Sequence, residues 1–124
     1  MRRRHSLIAL LGLVTGVASA DSVETFEQRH RASIATDEGR AYESVASNRF
    51  RSDLGFLPKC IRRTGVGSGA MTIYYAIDED GRITELFFTP DSALVECVRD
   101  EIETRRFPPA PPDWVGKITL TISR

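Results

Sequence analysis

Residues 70–89 constrain the fold more than any other stretch of the chain. Met71, Ile73, Tyr75 and Ile77 alternate with Ala70, Thr72, Tyr74 and Ala76, the period of a strand with one buried side. Asp78-Glu79-Asp80-Gly81 follows, and its closing Asp-Gly pair is a tight-turn signal between strand patterns. As a calcium loop, these acids lack the ligand spacing and the distant bidentate glutamate. A second strand from Arg82 to Thr89 therefore returns antiparallel to the first. Ile83 is out of step with Leu86 and Phe88, so a bulge near Thr84-Glu85 is needed to restore a common face.

The apolar side of this hairpin must be covered. Phe50, Leu54, Leu57 and Ile61 fall at the spacing of one helical face, with Gly65 as a stop and Arg62 and Arg63 at the negative helix end. Pro58 lies inside that stretch and bends or restarts it. Gly65, Gly67 and Gly69 are too scattered for a phosphate loop and read as a connection. Past Pro90, Asp91 is placed to cap a second helix in which Leu94, Val98, Ile102 and Arg105 share a face. Phe107 and the run Pro108-Pro109-Ala110-Pro111-Pro112 stop it. Ile118, Leu120 and Ile122 then alternate with Lys117, Thr119 and Thr121 in a last strand.

The order is helix-strand-strand-helix-strand. A right-handed crossover puts the last strand beside the first, in a three-stranded antiparallel sheet of order 2-1-3 with the helices on one face. This is an α+β fold, a two-layer sandwich whose second and third strands are edges.

The N-terminus carries an export pattern. Arg2, Arg3 and Arg4 precede an uncharged apolar run from Leu7 to Val17, and Ala18-Ser19-Ala20 is a cleavage site before Asp21. The run of 11 residues, interrupted by Gly12, Thr15 and Gly16, is short of the roughly 20 that a spanning helix needs. The expectation is a signal peptide at residues 1–20, a polar, partly helical segment at 21–47 and a domain at 48–124. Within the polar segment, Thr36-Asp37-Glu38 suits a helix start, and Tyr42, Val45, Arg49 and Phe50 follow helical spacing. The arginines before Ser6-Leu7 also leave the twin-arginine route open beside ordinary secretion.

The full chain has 17 basic and 17 acidic residues. Removal of three arginines with the signal leaves 14 against 17. Mild acidity with interspersed signs gives no electrostatic case for nucleic acid, and after cleavage nothing is expected to span a membrane. In an oxidising compartment the two cysteines, Cys60 and Cys97, read first as a disulfide, with free structural thiols as the alternative. Helices packed on the same face of the sheet can bring the two Cα atoms to bonding distance. His30 is the one histidine of the mature chain, in a polar segment, so no metal site, cofactor or Cys/His catalytic pair is expected. Glu96, Asp100, Glu101 and Glu103 lie along one helix among arginines, the pattern of a solvated helix rather than an active site.

Residues 50–124 resemble the TonB C-terminal domain family, and more closely its two-cysteine AgmX/PglI C-terminal branch. The resemblance is carried by Leu57-Pro58, Ile61, Gly65 and Gly69, then by Met71, Ile73, Tyr75 and Ile77 with Asp80-Gly81, Ile83, Leu86 and Phe88. Arg106-Phe107-Pro108-Pro109-Ala110 and Gly116 complete it. Both cysteines match positions of the two-cysteine branch, which points to the same disulfide. Some features depart from the family. Leu57 stands where an aromatic is frequent, Asp91-Ser92 replaces a serine pair, and the gap from Gly65 to Gly69 is one residue longer. A membrane helix and a proline-rich linker are also expected to be missing. The resemblance thus implies the fold and a protein-binding role without energy transduction.

The expected function is that of an exported periplasmic adaptor, or else a secreted protein, that binds a protein or extended peptide by adding a strand at a sheet edge. Lys117, Thr119 and Thr121 are the expected edge residues, and Trp114 is either a contact aromatic or a plug for the core. The alternative is a structural or assembly subunit of an envelope or secretion complex. A small secreted enzyme is disfavoured. Cleavage after Ala20 predicts a mature protein that begins at Asp21 in the periplasmic fraction. N-terminal sequencing checks this, and a membrane-bound product beginning at Met1 or Arg2 would contradict it.

Overall fold

In the computed structural model, which describes residues 22–123, a first helix (α1) occupies residues 22–33. It is followed by α2 (Asp37–Ser52), α3 (Leu57–Thr64), β1 (Gly69–Ile77), β2 (Ile83–Thr89), α4 (Leu94–Ile102) and β3 (Val115–Ile122). The strands form one antiparallel sheet in the order β2-β1-β3. The α+β architecture and the sheet order read from the sequence are those of the protein. The expected signal segment and its Ala20–Asp21 junction lie outside the described residues.

Local chemistry explains where the elements start and stop. Thr36 caps α2, its hydroxyl accepting from the Gly39 N–H at 2.9 Å. Asp37 and Glu38 sit at the positive end of that helix, and Arg49 and Arg51 at the negative end. The helical face expected through Phe50, Leu54, Leu57 and Ile61 is divided between two helices, and the restart that Pro58 allowed for is the one found. Backbone geometry leaves the helical region at Asp53, and α3 starts anew at Leu57 with Pro58 in its first turn, where a missing N–H leaves no bond unmade. The expected domain boundary at residue 48 falls inside α2. Tyr42, Ala46 and Phe50 from that helix belong to the same core as the sheet.

The bulge also has a definite place. Ala76 pairs with Glu85 and Ile77 with Ile83, so Thr84 is the extra residue, and Ile83, Leu86 and Phe88 share the core side. In the preceding turn the Asp78 carboxylate accepts from the N–H groups of Asp80 and Arg82, each at 2.9 Å. Gly81 has φ 83°, and a Cβ there would lie 1.9 Å from the Phe107 carbonyl oxygen. The stretch leading into the proline run is therefore packed onto the hairpin turn. It is tied there by Phe107 N–H to Gly81 O at 2.9 Å and Ala110 N–H to Asp78 O at 3.2 Å.

The main core lies between one sheet face and a layer of three helices. Met71, Ile73, Tyr75 and Ile77 meet Ile118, Leu120 and Ile122 beneath α2, α3 and α4. Phe50 packs against Tyr75, ring centroids 5.0 Å apart. The helix α1 lies on the opposite face. Phe26 stacks on Phe87 at 5.2 Å and leans on Tyr74 at 5.8 Å, over a second apolar cluster with Ala76 and Val115. The helical layer expected from the sequence thus gains a partial layer on the other side. Val23, Phe26 and His30 carry the helical spacing that places α1, a signal weak among polar neighbours.

Cys60 of α3 and Cys97 of α4 form a disulfide with Cα atoms 5.7 Å apart, and neither thiol is free among the described residues. The bond links cysteines 37 residues apart in sequence, for which the chain-entropy account gives about 4 kcal/mol of stabilisation. For a domain this small, reduction should lower the melting temperature by about 10 °C or more. Thiol counting on the denatured, unreduced protein should find none. Two free thiols in material from an oxidising compartment would contradict the bond.

Candidate partner-binding edge

The sheet has two edges, and the parity of β1 decides which backbone groups reach them. Ile77 donates to the Trp114 carbonyl at 3.4 Å, and the register continues from there to Gly69 opposite Ile122. Odd-numbered β1 residues therefore bond to β3, and even-numbered ones to β2. On β3, Gly116, Ile118, Leu120 and Ile122 turn their N–H and C=O groups inward to β1. Val115, Lys117, Thr119 and Thr121 turn theirs outward. The Val115 N–H is met by the Ser33 hydroxyl at 2.8 Å. From Lys117 onward no described residue satisfies the outward groups.

The three residues expected on this edge thus share it, with their side chains on the α1 face. Their surroundings differ. The Lys117 ammonium is held by the Glu27 carboxylate of α1. Thr119 is exposed and lies 3.2 Å from Thr72, hydroxyl to hydroxyl. Thr121 is exposed. Half of this edge is tied to α1, and the other half is open.

Trp114 is not a contact aromatic. It is 2% exposed, and its indole N–H donates to the Gly39 carbonyl at 3.1 Å. Tyr42 meets it edge-on at 4.7 Å, and Tyr75 at 5.8 Å. The physical reason is the hook formed by α1 and α2. Its turn passes around the start of β3, so the residue just before that strand is enclosed from both sides. A Cβ at Gly39 would sit 1.6 Å from the Ser33 carbonyl oxygen, so the two helices approach this closely only because the position is glycine.

His30 is also buried, at 9% exposure, although the segment around it reads as polar. Its Nε2 lies 3.1 Å from the Glu43 carboxylate of α2, joining the two arms of the hook. The other oxygen of Glu43 and the Tyr75 hydroxyl are buried without a hydrogen-bond partner. Burial pushes the Tyr75 phenol well above its ordinary value and that of Tyr42 up to about 12. Among the described residues no group of three or more His, Cys, Asp or Glu is placed to hold a metal ion, and no helix is long and apolar enough to cross a membrane.

The chain matches no known protein family, no curated protein and no solved structure.

Charge holds α1 to the sheet. Hydrogen bonds from Lys117 and Tyr74 keep the Glu27 carboxyl below its ordinary value of 4.5. The bidentate Arg29 guanidinium, at 2.7 and 3.1 Å, does the same for Glu85 on β2. Both folded values are depressed, so this stabilisation is complete above the ordinary carboxylate range and disappears as pH falls through the lowered values. Amide exchange of residues 22–33, corrected for intrinsic rates, should therefore be faster near pH 3 than near pH 6 while β1 stays protected. Equal protection at both would show that the helix is held without help from these ion pairs.

Proposed function

We propose that this chain is an exported, periplasmic protein-binding module with no catalytic role of its own, which receives an extended segment of a partner along β3. The observation that carries the reading is the outward row of backbone donors and acceptors at Lys117, Thr119 and Thr121, which begins where Ser33 satisfies the last enclosed group. An unpaired edge of this kind accepts a strand through main-chain hydrogen bonds and takes selectivity from alternate side chains. The disulfide fits an oxidising compartment. The resemblance of residues 50–124 to TonB C-terminal domains agrees with a role in binding protein segments.

Rigid placement makes the edge usable. The ladder to β1 fixes the strand from Gly69–Ile122 to Ala76–Val115, and the α1–α2 hook anchors its first residue. A partner segment then adds to a preordered template, with less chain entropy lost than if both strands had to order.

Thr119→Pro and Thr121→Pro each remove one outward donor without breaking a bond to β1, so both variants should fold. Each should weaken capture of envelope partners by about 3- to 10-fold, the worth of one main-chain hydrogen bond. Unchanged melting temperature with reduced capture is the expected result. Equal capture by both folded variants would count against addition at β3.

A further inference from the structure

The opposite edge of the sheet is furnished differently. By the same parity, Glu85, Phe87 and Thr89 of β2 bond to β1, and Leu86 and Phe88 turn their N–H and C=O groups outward. No described residue satisfies those groups. Unlike β3, this edge runs along the floor of a groove with walls on both sides. A cavity of about 450 Å³ is bounded by Val23 of α1 and Phe87 on one side and by Val95 and Arg99 of α4 on the other. Arg99 also lines a second cavity of about 210 Å³ beside Leu86 and Glu103, so the groove continues along the strand.

The charges in the groove restrict its occupant. The Arg99 guanidinium lies over the Phe88 ring at 5.0 Å and makes no ion pair with any described residue. Asp91 stands at one end of the groove and Glu103 at the other. A strand laid beside β2 sends alternate side chains to the two walls. On the α4 wall an acidic side chain would meet Arg99, and its apolar neighbour would meet Val95. On the α1 wall apolar side chains would meet Val23 and Phe87. A uniformly acidic segment would be repelled at both ends, and a basic one would be repelled at the centre.

The geometry points to a second strand-accepting site at the β2 edge, selective for an extended partner segment with one acidic residue among apolar ones. It shares the edge-addition chemistry of the proposed function but not its edge or its residues. A chain with both sites occupied would join two extended segments through a single central strand, β1.

The probe is the capped peptide Ser-Val-Val-Val-Glu-Val-Ser, titrated into the mature, oxidised protein and followed by amide NMR. The Leu86 and Phe88 amides should shift saturably below ~1 mM and gain exchange protection. The peptide with lysine in place of glutamate should bind at least about tenfold more weakly, and Arg99→Glu should reverse that preference. The Thr119→Pro and Thr121→Pro variants should bind the peptide as the unaltered protein does, which separates this site from the β3 edge. Shifts confined to Thr119 and Thr121, a preference unmoved by Arg99→Glu, or no saturation by ~1 mM would each overturn the assignment. Concentration-dependent dimerisation through Leu86 and Phe88 without peptide would overturn it in favour of a second copy of the chain.

Discussion

The alternation of β1 organises the rest of this molecule. Each odd-numbered residue from Met71 to Ile77 places its side chain in the main core and bonds its backbone to β3. Each even-numbered residue from Thr72 to Ala76 faces the second side of the sheet and bonds to β2. One period of two therefore sets the core, the register of both neighbours and the identity of every outward backbone group on the two edges. A slip of one residue would bring Tyr74 and Thr72 under the helices and turn Tyr75 and Ile73 to the other side. The burial of Tyr75 between Phe50, Phe107 and Trp114 opposes that slip.

Two devices close the structure around that strand. The disulfide joins α3 to α4 across the top of the core, and the α1–α2 hook encloses the Trp114 end of the sheet. A core of this size stabilises a fold only marginally, and both devices bring together parts of the chain distant in sequence. They act differently. The covalent bond restricts the unfolded chain, whereas the hook depends on one glycine, one buried histidine–glutamate contact and a set of ion pairs on the sheet surface. The ion pairs that hold α1 to the sheet are therefore weakened in acid.

The two edges of the sheet differ in the chemistry they offer. Along β3 the outward groups are flanked by threonines and by a lysine already paired with Glu27, a polar and open border. Along β2 the border is a groove of mixed lining, where Val23, Phe87 and Val95 stand beside Asp91 and an Arg99 guanidinium that has no ion-pair partner among the described residues. The difference follows from where the helices lie. Val23 of α1 and the Val95–Arg99 side of α4 flank β2, while β3 is met by the turn of the hook at Val115 and by Glu27 of α1 at Lys117, and is open from Thr119 onward.

The sequence alone was enough for the strand pattern, the Asp80-Gly81 turn and the bulge near Thr84, because each is written in residues close together in the chain, and the order of the sheet followed from the handedness of the crossover. Parity, turn chemistry and breakers act over a few residues and can be read locally. The cysteine pair was legible for a related reason, since two thiols in a chain that carries an export pattern leave few alternatives. Only the tertiary structure settled the roles of Trp114, His30 and Gly39 and the break between α2 and α3. Trp114 follows a proline run that reads as exposed, and its burial depends on a carbonyl 75 residues away. His30 sits among polar neighbours and is enclosed because α2 folds back upon it. Outward and inward groups at the two edges were likewise decided by pairing between distant strands. Such contacts leave no periodic trace in the chain, because each depends on which face of a remote element arrives opposite.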